Sequence, residues 1–239
     1  MAYNVRLLFM LLISAVLACK AEKPVEHRKP EPVVIIKPKN PLLSAEQREE
    51  LRFPVDIISQ VELSAGAEAE PFFVTVVVPS ENMKGEQDFE TGKLAGFSVR
   101  TKYSEDVILT FRNKLRARGY LIFKSHKGYG SLPDIVTVTR GGNSYDIVKI
   151  QGTEAPNYHL DTSAIIAWLK ECQADASFVV TGAGPDWLEA RFTKPPQNMR
   201  SFAKKVAAFS PDVLEHGPKT LENLTDRMKR INGFSLVWD

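Results

Sequence analysis

The sequence predicts an α+β fold. It reads as a mixed or antiparallel sheet with helices packed on one face, and its C-terminal half is βαββαβ-like. Three observations predict it. Short apolar runs such as "YLIFKS", "DIVTVTR", "SFVVTGAG" and "DWLEARF" are bounded by Gly, Pro and Asn turns. Segments with apolar residues three and four apart each open on a capping residue. From residue 145 onward the order reads strand, helix, strand, strand, helices, strand, which places helices and strands in one α+β layer pair.

The elements follow in order. Ser44-Ala45-Glu46-Gln47 is a capping box that opens a short helix before Pro54. "FFVTVVV", residues 72–78, reads as a buried strand between Pro71 and Pro79. Residues 80–101 are rich in Gly and charge and read as a long loop. Ser104 caps a helix with Glu105 and Asp106 in its first turn and the stripe Val107, Ile108, Phe111 and Leu115. "YLIFKS" and "DIVTVTR" are strands around a Gly-rich turn, and "YDIVKIQ" reads as a third.

Asp161 or Thr162 then caps a helix with Ile165, Trp168, Leu169 and Cys172 on its apolar stripe. "SFVVTGAG" and "DWLEARF" pair across a Gly184-Pro185 turn, so Gly182-Ala183-Gly184 reads as turn sequence. Asn198 opens a helix with Met199, Phe202, Val206 and Phe209 inward. Thr220 opens the last one, with Leu221, Leu224, Met228 and Ile231, and "FSLVW" closes as a strand.

The N-terminus predicts location. Arg6 and the apolar run Leu7 to Ala18 form a signal peptide over residues 1–18, too short for a ~20-residue membrane span. Val16-Leu17-Ala18-Cys19 resembles the bacterial lipobox. That resemblance implies cleavage before Cys19 and lipidation of its thiol. Several acyl chains hold a protein firmly, because each buried methylene adds ~0.8 kcal/mol. The chain is thus expected to be exported and lipid-anchored to a bacterial membrane, on the periplasmic side of the outer membrane in a Gram-negative cell. Its membrane partner would be reached through the acyl chains on Cys19.

Residues 19–43 form a tether with five prolines, six Lys/Arg and three Glu, and His27 lies within it. The remaining 44–239 are read as the α+β domain. Of the two cysteines, Cys172 has no intrachain partner if Cys19 is acylated, so the fold must rest on its apolar core. The formal charge of +2 sits mostly in the tether, and the near-neutral domain argues against nucleic acid as a partner.

Four motifs carry a family resemblance: "GTEAPNYHLDTSAIIAWL", "GAGPDWLEARF", "FSPDVLEHG" and the terminal "FSLVWD". In this order they resemble the bacterial domain-of-unknown-function family numbered 4253, over about residues 105–239. The resemblance implies a fold and no activity. Ser210 stands where that family usually has cysteine, and Val237 where the first of two tryptophans is common.

Alternation in "DWLEARF" puts Leu188, Ala190 and Phe192 on the core face and Trp187, Glu189 and Arg191 on the other. The second set reads either as a recognition face anchored by Trp187 or as an ordinary Glu–Arg pair beside a covered tryptophan. Asn157, Tyr158 and His159 precede a helix N-terminus, where a loop can hold an anion or simply bond its own backbone. Asp212, Glu215 and His216 lack metal-ligand spacing, and no metal is expected. Asp186 and Trp238 complete the candidate binding residues.

No G-x-S-x-G, Walker, dinucleotide or C-x-x-C pattern is present, so no cofactor is expected and no residue is given a catalytic role. The expected function is a non-catalytic binding module of the cell envelope with one protein partner, for example an immunity or inhibitor protein. The alternative is an envelope hydrolase using His159 with nearby acids.

Overall fold

A computed structural model describes residues 42–78 and 89–239. The signal segment, the lipobox with Cys19, and His27 lie outside the described residues. So do the first residues of the segment read as a loop at 80–101.

The sheet is built from β1 (Glu70–Val78), β2 (Phe89–Thr101), β3 (Tyr120–His126), β4 (Asp134–Arg140), β5 (Ser177–Gly184), β6 (Trp187–Lys194) and β7 (Gly233–Val237). Its spatial order is β1-β2-β4-β3-β5-β6-β7. Every neighbouring pair is antiparallel except β3 and β5, which are parallel. The fold is α+β with a mixed sheet.

The helices are α1 (Ala45–Leu51), α2 (Val55–Ala65), α3 (Ser104–Arg116), α4 (Tyr145–Ile150), α5 (Thr162–Cys172), α6 (Met199–Phe209), α7 (Asp212–Glu215) and α8 (Leu221–Ile231). Most caps are the expected ones. Ser44 and Gln47 form the reciprocal box on α1. Asp161, Asn198 and Thr220 each accept an amide in the first turn of α5, α6 and α8.

The two faces of the sheet carry separate cores. Leu121 and Phe123 of β3 pack with α4, α5, α6 and α8, while Tyr120 and Ile122 of the same strand pack with α1, α2 and α3. In the C-terminal half the helices do lie on one face. The three N-terminal helices cover the other, over β2, β3 and β4. Phe234 centres the first core, with ring contacts to Trp168, Phe178, Phe192 and Phe202.

Several expectations change. β1 is an edge strand, not a buried one, and Phe73 is 49% exposed. The edge position also explains Pro71, whose missing N–H is tolerated there. Residues 89–101 form β2 rather than loop. Phe97 and Val99 face the core, and Gly92, Gly96 and Lys93 between them hide that alternation. Leu43, placed in the tether, is buried and donates its amide to Ala69.

Ser104 does not cap α3. Tyr103 holds that position, and the Ser104 hydroxyl donates to Asp134 at 2.5 Å. "YDIVKIQ" is helix α4, not strand. The Asp146 carboxylate accepts the amides of Gly142 and Asn143, folding the chain into a first turn, and Gly152 at φ +57° ends it. The βαββαβ order therefore starts at β4: β4, α4–α5, β5, β6, α6–α8, β7.

Candidate functional site

Three separated segments meet around the last three residues. Tyr158 donates to Asp212 at 2.5 Å, and Asp212 accepts the Asp239 amide at 2.8 Å. Asn157 donates to the Asp239 carbonyl at 3.1 Å. Trp238 donates its amide to the Asp186 carbonyl and its indole N–H to Phe209. Ser210 donates to the Val237 carbonyl at 2.7 Å and accepts its amide at 2.9 Å.

Ser210 thus closes the outer edge of β7, where an open ladder would otherwise face water. Ser210 and Val237 are bonded to each other twice. Ser210 is fully buried, so Ser210→Ala strands both Val237 backbone groups. It is expected to cost about 1–3 kcal/mol, read from urea denaturation. A loss within the ~0.5 kcal/mol range of ordinary surface changes would contradict this role.

Beside this junction lies a cavity of about 490 Å³, with Lys127, Trp187, Glu189, Asp212, His216, Arg227 and Trp238 among its lining residues. Its wall is the exposed-face side of β6, as alternation predicted for Trp187 and Glu189. Trp187 is not a protruding anchor, however. It is 5% exposed and lies under the Lys127 ammonium, 4.0 Å from the ring centre.

Gly182 and Gly184 make room for that ring. An ideal Cβ at Gly184 would come 2.1 Å from Trp187 Nε1, and one at Gly182 would come 3.1 Å from Trp187 Cζ3. Both glycines lie within β5, and the turn itself is Pro185-Asp186. Gly182 also pairs with Lys124 on one side and Glu189 on the other. With no side chain between them, Lys124 reaches Glu189 across β5 at 3.1 Å.

The expected Glu189–Arg191 pair does not form, because each has another partner. Glu189 also holds Lys127 at 3.1 Å, and Lys124 continues to Asp134 at 3.2 Å. Arg191 pairs with Glu105 of α3 at 2.5 Å. Burial pushes the Glu189 carboxyl up, but Lys127 and Lys124 outweigh it and hold it below the usual range. Burial pushes the Lys127 ammonium down, and Glu189 offsets this only in part. Lys124 is pulled down by burial but raised overall by Glu189 and Asp134.

Asp212 behaves like Glu189. Its burial raises it, and the Tyr158 hydroxyl and Asp239 amide bring it below its ordinary value. The bond to Asp212 in turn pushes the Tyr158 phenol up to about 12. Asp134 is also lowered, because the Gly128 amide, Ser104 and Lys124 outweigh its burial.

These three carboxylates, Glu189, Asp212 and Asp134, thus have folded pKa values below their unfolded ones. Each contributes stability that is complete above the ordinary carboxylate range of ~4 and is lost as pH falls through the lower folded value. The urea midpoint is expected to drop steeply below about pH 4, and less steeply in Glu189→Gln. A midpoint flat across that range would refute the assignment.

The structure gathers most of the candidate residues. Asp186, Trp187, Glu189, Asp212 and Trp238 line the cavity, and Asn157 and Tyr158 hold its floor through Asp239 and Asp212. His159 stands apart. It is exposed, in a left-handed turn at φ +54°, and is not part of the lining. Glu215 is exposed and is likewise outside it.

The sequence reading missed Lys127, Tyr129 and Arg227 as lining residues. Tyr129 sits in what reads as a plain Gly-rich turn, Lys127 directly precedes that turn, and Arg227 lies off the apolar stripe of the last helix. No group of three or more His, Cys, Asp or Glu among the described residues is arranged to hold a metal ion. Cys172 is buried and free, with its thiol pushed up to about 12 by burial.

The family model described as "Domain of unknown function (DUF4253)" matches residues 135–239. Over this segment the chain is similar to that family. The segment begins within β4, so α3 and β3 fall outside the match although they were included in the expected extent. No curated protein and no solved structure matches the chain. Every residue gathered at the β7 junction belongs to the matched segment, whereas Lys124, Lys127 and Tyr129 reach the site from before it.

Proposed function

We propose that the chain is an exported bacterial lipoprotein, anchored through acyl chains on Cys19, whose domain is a non-catalytic binding module of the cell envelope. An immunity or inhibitor protein is its concrete form, with one protein partner docking over the Trp187 cavity. The observation that carries this reading is the distribution of charge in the cavity. Its buried carboxylates are each taken up by neighbours, Glu189 by Lys124 and Lys127 and Asp212 by the Tyr158 hydroxyl and the Asp239 amide. Arg227 lines the same cavity and has no ion pair among the described residues, and Tyr129 is 81% exposed at it. A guanidinium and an exposed aromatic lining one cavity are residue types enriched at recognition faces.

The hydrolase alternative has less support, because His159 lies outside the cavity. No helix among the described residues is long and apolar enough to cross a membrane, so attachment in this reading rests on Cys19.

The test is purification of the full chain from detergent-solubilised membranes, with mass spectrometry of its N-terminal peptide and its companions. The expected result is an acylated Cys19 and one stoichiometric companion, lost in both Arg227→Ala and Tyr129→Ala. A companion retained by both variants would move the interface elsewhere. An unacylated N-terminus would remove the anchor.

A further inference from the structure

We propose that a second cavity, between α3 and the β3–β5 junction, is a binding site for a compact tetrahedral oxyanion such as phosphate. It shares no lining residue with the Trp187 cavity. Its volume is about 90 Å³, against about 490 Å³ for the Trp187 cavity, which suits a small ion or a terminal group.

The site sits at a topological join. β3 and β5 are the parallel pair of the sheet, with Lys124↔Gly182 as their register pair. Toward Tyr120 and Val179 the two strands frame the cavity, which α3 closes from one side and α4 from the other. Its polar lining is Arg112, Asn113 and Arg116 of α3 with Ser144, Thr181 and Thr193. No acidic residue lines it. The contrast with the first cavity is direct, because there Glu189 pairs with both Lys124 and Lys127.

Arg112 Nη1 is buried and has no hydrogen-bond partner. Buried donors are rarely left so, and a guanidinium is the group that most favours an oxyanion as partner. Arg116 lies one helical turn on, lines the same cavity, and has no ion pair among the described residues. Two like charges at this spacing repel, and an anion between them reverses that. The hydroxyls supply further donors. Ser144 makes no cap bond to α4, and Thr181 holds the Glu189 carbonyl only at 3.5 Å. Planar forks of Arg112 and Arg116 with these hydroxyls match the oxygens of a tetrahedral anion.

The test is thermal denaturation of the full chain in detergent, titrated at constant ionic strength with sodium phosphate, phenyl phosphate or sodium chloride. A saturable rise in Tm is expected with a phosphate and not with chloride. Preference for inorganic phosphate identifies a free ion, and preference for phenyl phosphate the terminal group of a larger molecule. Arg112→Gln and Arg116→Gln are each expected to weaken the response about tenfold or more, and Arg227→Gln to leave it unchanged. Arg116 is exposed, so its variant keeps the test valid even if Arg112→Gln does not fold. The proposal is overturned if neither phosphate gives a saturable rise, or if Arg116→Gln responds as the wild type does.

Discussion

Glu189→Gln is expected to lower the unfolding free energy by about 3 kcal/mol, the range seen when one partner of a buried ion pair is removed. Glu189 is the anion shared by Lys124 and Lys127, at 3.1 Å from each. The two lysines then part company. Lys124 keeps Asp134 at 3.2 Å. Lys127 keeps only the face of Trp187, and its ammonium is already pushed down by burial. The cost therefore falls on Lys127, and it follows that Lys127→Met should restore more than half of the loss in the Glu189→Gln background. Urea denaturation of the four proteins of this cycle measures the coupling. If the double variant is no more stable than Glu189→Gln, Lys127 is not the stranded charge.

What could be read from the chain was whatever is written in neighbouring residues. Ser44, Asp161, Asn198 and Thr220 are followed at once by the apolar stripes they cap, so α1, α5, α6 and α8 were legible. The alternation of Trp187 and Glu189 against Leu188 and Ala190 was legible for the same reason. Elements whose cause lies elsewhere were not. β2 carries glycines and charges because it is ordered by β1 and β4 on its two sides. α4 looks like a strand until Asp146 is seen to bind the loop before it.

The site follows the same rule. Asn157, Tyr158, Asp212 and Trp238 read as separate motifs, and only folding shows Asn157 and Asp212 meeting at Asp239, Tyr158 on Asp212 and Trp238 on the Phe209 carbonyl. Lys124 and Lys127 carry no local mark, since their partner Glu189 lies beyond α4, α5 and β5 in the chain. The tandem glycines of "GAG" were misread as a turn because their cause, the Trp187 ring, comes after the real turn.

That ring carries the largest expected effect. Trp187→Ala is expected to cost about 3–5 kcal/mol. The indole is nearly buried and lies against Gly182 and Gly184, so its removal exposes a floor with no side chain to fill the space. The floor cannot rise, because β5 is fixed between β3 and β6. Gly184→Ala attacks the same contact from the other side. A Cβ 2.1 Å from Nε1 must displace the ring, at a cost of about 1–3 kcal/mol. In the double variant no ring is left to displace, and the new methyl occupies part of the void. The two costs are therefore expected to add to clearly more than the cost of the double change. Strict additivity in denaturation would mean the ring does not rest on Gly184. In that case the two glycines of β5 would need another cause, and the wall of the cavity another architecture.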